Sequence, residues 1–196
     1  MKTTNLLAVA AASVAMFTIA APLAAQDRPS YELPAIEVAV MQTGLHQQAL
    51  ALYEFPARWE EAADLHRRAA EELPRNDAGQ FFGFNRAAVL YFYAGEFDDA
   101  RRSMEKAARV AEATGDVFTA ANTYVDAAFV AIAEGFAGKK REFVAQAREL
   151  SASGALTDEE RLDIEARIEG APAGTASARV ALAVRYGSPF TLAAAD

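Results

Sequence analysis

The 196-residue chain predicts an all-α fold, a short α-solenoid of antiparallel helix pairs, and three observations carry that prediction. A twelve-residue phrase beginning at Arg58 is echoed from Glu96, so that Trp59, Ala62, His66 and Ala69 align with Phe97, Ala100, Met104 and Ala107. A repeated helical unit implies stacked, quasi-linear packing. Gly and Pro punctuate the chain between stretches of helical periodicity. Strand signals are scarce: Ala makes up about a quarter of the residues, and no Asn-Gly or Asp-Gly hairpin turn occurs.

Each element follows from these local signals. A first helix starts between Ile36 and Gly44 and runs to about Phe55, where Pro56 breaks it. The second spans about Arg58 to Leu73 and stops at Pro74. Asp77 with Gln80 resembles a capping box and opens a third helix to Ala94. Gly95 makes the turn into a fourth, Phe97 to Ala113, ended by Thr114-Gly115. Asp116 caps a fifth helix to Glu134, Gly135 turns the chain, and a sixth ends near Leu150. Thr157 with Glu160 forms a better capping box for a helix to about Glu169. Residues 170–174 make a flexible break before a last helix, Thr175 to Tyr186, with a tail after residue 187.

The first 25 residues read as an export leader. Lys2 precedes an uncharged run, and Pro22-Leu23-Ala24-Ala25 resembles a small-residue cleavage site. The alternative is a retained anchor. Against it, the run is short for the ~20 residues a spanning helix needs, and Ala-rich. Residues 26–41 form a linker or N-terminal extension. The absence of Cys excludes disulfides and an N-terminal lipoprotein anchor. Net charge is −8, one unit more negative without Lys2, which argues against nucleic acid and anionic membrane surfaces. The acids are mostly mixed with bases on helices, as in Glu60-Glu61 with Arg67-Arg68, the pattern of a solvated face.

The helix pairs resemble tetratricopeptide repeats. In the second unit Ala88 and Tyr91 match that family's small residue and aromatic, and Gly95 and Phe97 match its turn. Ala62 with Ala69 and Ala100 with Ala107 match the paired small positions of the second helices, and Pro74 closes the first unit. Tyr53 supplies the first unit's aromatic, but Leu50 stands where a small residue belongs. In the third unit Ala128 and Ala147 fit, while Ala131 replaces the aromatic and Lys140 a small residue. Small side chains let helices approach to about 8 Å, and the aromatic fills the space beside them. The intervals of 38 residues from Ala62 to Ala100 and 40 from Ala100 to Lys140 exceed the family's ~34. The resemblance implies three units over residues 42–150 and a degenerate helix pair over 151–187.

It also implies a concave face built from the first helix of each pair. Gln47 comes from the first, with Ala51 and Glu54 beside it. Phe82, Asn85, Val89 and Phe92 come from the second, and Asn122, Val125, Phe129 and Ile132 from the third. Asparagine amides suit an extended peptide backbone and apolar pockets its side chains. The competing reading makes these residues core, covered by a neighbouring helix or by the tail at Phe190. His46 and His66 stand on facing helices of one expected unit, but two imidazoles are too few for a zinc site. There is no phosphate loop and no nucleophile with a His–Asp context. The expectation is an exported, periplasmic or secreted, non-enzymatic adaptor that binds a protein or peptide partner, with no metal and no cofactor. The alternatives are a self-associating envelope protein and a carrier of an apolar small molecule held by Phe82, Phe92 and Phe129.

Overall fold

Helix termini account for most of the architecture. The computed structural model describes residues 43–187. Among them eight α-helices and no strands occur: α1 Gly44–Leu50, α2 Trp59–Glu72, α3 Ala78–Ala94, α4 Phe97–Ala113, α5 Val117–Glu134, α6 Ala137–Ser151, α7 Asp158–Glu169 and α8 Thr175–Tyr186. The expected leader, the linker and the tail with Phe190 lie outside the described residues.

The turns are built alike. After α3, Gly95 takes φ 90°, its N–H bonds Phe92 O, and the Glu96 N–H bonds Tyr91 O at 2.9 Å. After α5, Gly135 takes φ 89°, and the Phe136 N–H bonds Ala131 O at 2.7 Å. Both close the last turn in the Schellman pattern, which needs a left-handed residue that glycine tolerates best. Asp116 accepts from the Thr119 N–H, and Thr157 with Glu160 completes a reciprocal capping box. The Asp77 box differs from expectation. Asp77 caps Gly79, but Gln80 accepts from the Asn76 N–H and donates to Ala70 O and Leu73 O. Gln80 therefore fastens the start of α3 to the end of α2. The first helix is also shorter than expected. It ends at Leu50, and residues 51–54 are turns that feed a 3₁₀ turn at Pro56–Arg58.

Each of α1 to α6 packs on the helix that follows, and α7 and α8 both return to α5. The pairs run antiparallel. Tyr91 of α3 bonds Asp64 of α2, while Gly83 lies over His66 and Ala70. Arg101 of α4 pairs with Glu134 of α5, while Tyr124 bonds Glu112. Helices α2 and α4 are amphipathic, whereas α3 and α5 are apolar nearly all round, so the latter need cover on more than one side. The aligned positions are buried alike: Ala62, Ala100, His66, Met104 and Ala107 are fully buried, and Ala69 nearly so. Trp59 and Phe97 both pack half-buried against one core cluster. Ala88, Ala128, Ala147 and Tyr53 are also buried.

Helices α2 and α3 touch at Gly83. A Cβ there would meet the Ala70 Cβ at 2.7 Å and His66 O at 3.1 Å, so neither backbone leaves room for a methyl. Gly83→Ala is expected to cost about 1–3 kcal/mol despite the better helix propensity of Ala. Urea denaturation measures this, and a stabilised variant would show that the two helices separate freely.

Candidate functional site

Two polar centres interrupt the apolar packing. The first joins α1, α2 and the turn between them. His46 and His66 are completely buried, with their Nδ1 atoms 2.5 Å apart, and Tyr53 Oη lies 2.7 Å from His66 Nε2. One proton fits between the two Nδ1 atoms. If His46 donates it, His66 Nε2–H donates to Tyr53, and His46 Nε2 is a bare acceptor without a hydrogen-bond partner among the described residues. The reverse arrangement would strand a buried N–H donor, the costlier orphan. Burial, aided by the Arg86 charge, lowers the His46 pKa to about 4. Burial, then His46 and Arg86, pushes His66 well below its ordinary range. Among the described residues no third ligand completes a metal set with this pair.

Both imidazoles are therefore neutral at pH 7. Their folded pKa values lie below the unfolded value of about 6.5, so the unfolded chain binds protons first. Stability is then complete above pH 6.5 and falls as pH drops toward 4, by up to about 3 kcal/mol for His46 alone. Urea unfolding between pH 7 and 5, before most carboxylates titrate, should show this slope, and His46→Asn should flatten it. Equal slopes in both proteins would remove the assignment.

The second centre is Asp126, in the middle of α5. Its side chain is 6% exposed. It accepts from Arg167 Nη2 of α7 at 2.6 Å and from Arg185 Nε of α8 at 2.9 Å. Arg167 also bonds the Asn122 side chain, and Asn122 Nδ2 donates to Phe118 O at 3.3 Å. The Tyr186 phenol lies enclosed beside this network without a hydrogen bond of standard geometry. Burial, and then the Asp126 charge, holds its pKa well above the ordinary range. Asp126 thus ties both C-terminal helices to α5. Truncation as Asp126→Ala leaves Arg167, only 17% exposed, without its carboxylate. The expected cost is about 3 kcal/mol, with faster hydrogen exchange in α7 and α8 than in α2. Unchanged exchange in α8 would contradict the tethering role.

Above Asp126 a cleft of about 480 Å³ opens between α3, α5, α7 and α8. Phe81 and Phe118 form its apolar sides, and Asn85, Asn122, Asp126, Arg185 and Tyr186 its polar ones. It draws on four helices, whereas a hollow of about 600 Å³ along α6 is lined by that helix alone and is an open strip.

The residues expected on a concave face divide into three groups. Asn85 and Asn122 line the cleft, but the Asn122 amide is committed to Arg167 and Phe118. Phe82 is half-buried and meets Phe81 edge-on at 5.3 Å. Val89, Phe92, Val125 and Ile132 are buried in the core, and Phe129 packs against two clusters. Gln47 is exposed on α1, away from these residues in the packing order. Helix α8 covers part of this set. It runs antiparallel to α5, with Arg179 near Ala133 and Arg185 at Asp126. Ala178 and Leu182 enter the cluster that holds Phe92, Val130 and Ile132. The Tyr93 hydroxyl donates to Gly187 O, and Arg179 stacks over Phe97 at 4.3 Å.

Sequence reasoning missed Phe81, Phe118, Asp126, Arg167, Arg185 and Tyr186. One signal was available: Asp126 is the only charged residue within α5 before its final Glu134. An acid in so apolar a helix requires a partner from elsewhere. Among the described residues no helix is long and apolar enough to cross a membrane. Comparison with protein-family models, curated proteins and solved structures gave no significant match.

Proposed function

We propose that the chain is an exported, non-enzymatic adaptor, a short tetratricopeptide-like solenoid that holds a protein or peptide partner against its inner helices. The observation that carries the reading is the state of the α3–α5 surface. Part of it already takes a helix, the chain's own α8, and among the described residues the part beside α8 is a cleft with apolar sides and an uncommitted amide, Asn85. The equal burial of the matched small positions supports the repeat reading, and the N-terminal leader pattern supports export. The site is narrower than the whole concave face. It centres on Phe81, Asn85 and Phe118, because Val89, Phe92, Val125 and Ile132 are already covered.

Tagged protein should retrieve a specific partner from the native envelope. Phe118→Asp, checked for retained helicity, should lower that capture at least about tenfold, as loss of an interface anchor does. Capture of the same partner by the folded variant at wild-type level would defeat the proposal.

A further inference from the structure

The cleft contains an arginine that its neighbours among the described residues engage only in part. Arg185 donates its Nε to Asp126, at 2.9 Å, and beyond the neighbouring Tyr186 hydroxyl no further polar partner meets its guanidinium among the described residues. Its side chain is 42% exposed and lines the cleft. Asp126 cannot neutralise it alone, since the same carboxylate also holds Arg167 at 2.6 Å. Two guanidinium groups therefore share one buried carboxylate, in a chain whose overall charge is −8. Asp163 stands exposed at the rim and forms no ion pair among the described residues, so water screens most of its effect. Asn85, opposite on α3, has no side-chain hydrogen bond among the described residues.

A guanidinium fixed at Nε and part-exposed at its outer edge matches a carboxylate, which it can grip with two parallel hydrogen bonds. Phe81 and Phe118 give the cleft flat apolar sides, and its volume of about 480 Å³ suits a small organic group. The acidic surroundings disfavour multiply charged anions such as phosphates. We propose that this cleft binds a monocarboxylate borne on an apolar, preferably aromatic, body, with Arg185 gripping the carboxylate and Phe81 and Phe118 flanking the body. The group is supplied either by a free acid or by the C-terminus of a bound chain. The second source rests on the adaptor reading above; the first does not.

Calorimetric titration of the purified full chain tests this with four probes: 3-phenylpropionate, its primary amide, N-acetyl-Ala-Ala-Phe and that peptide's C-terminal amide. At least one acid should bind in the micromolar to low millimolar range, about tenfold or more tighter than its amide. Arg185→Gln should remove that preference while leaving helicity intact, because Arg167 still pairs with Asp126. Arg185→Lys keeps the charge without the fork and should recover only part of the preference, so it remains informative if the Gln variant fails to fold. Binding of the free acid alone upholds the carboxylate site and counts against a peptide partner. Binding of both acids no tighter than their own amides overturns the carboxylate site while leaving the adaptor reading standing. No binding by either acid at about 10 mM overturns the inference.

Discussion

The rest of the structure depends on covering α5. This helix is apolar on nearly all sides, so no single neighbour can shield it. Helices α4 and α6 take one part of its circumference, and α7 and α8 the remainder. Its one interior charge, Asp126, makes the second layer specific. A buried carboxylate without partners would cost several kcal/mol, and the two arginines that satisfy it come from α7 and α8. Apolar burial thus draws the C-terminal helices onto α5, and the ion pairs set where along α5 they dock.

The cleft follows from unequal lengths. Helix α5 has 18 residues and α8 has 12. At 1.5 Å per residue, α8 falls roughly 9 Å short of spanning its partner. Its Arg179 sits near Ala133 and its Arg185 at Asp126, so its length is used before the first turns of α5 are reached. Phe118 and Asn122 are left at an opening that α3 borders with Phe81 and Asn85. The same accident of length puts the Arg185 guanidinium at the edge of the opening, where it meets Asp126 and Tyr186 and stays part-exposed.

The N-terminal end solves its packing differently. His66, bonded to a second imidazole and a phenol, occupies the position where the second repeated phrase places Met104. His66 and Met104 are matched in the repeat and equally buried, yet only His66 has a polar partner in reach, because α1 supplies His46. One register therefore accommodates either an apolar side chain or a polar chain of hydrogen bonds, at the cost of sensitivity to acid.

By itself the sequence determined the helices and most of their ends, the first helix excepted. The α4 and α8 limits coincide with their expected spans, because Gly, Pro and capping side chains act within a few residues of where they stand. It also determined which small residues are buried, since Ala62, Ala100 and Ala107 repeat at helical spacing. Only the tertiary structure decided which surfaces stay open. Whether Phe92 and Ile132 face a partner or the core depends on α8, roughly 50 to 90 residues away along the chain, and no local pattern encodes where that helix returns. The Arg167–Asp126–Arg185 network was hidden for the same reason: Asp126 stands out in its apolar helix, but Arg167 and Arg185 read locally as ordinary surface charges, and only contact across three helices turns the set into a site.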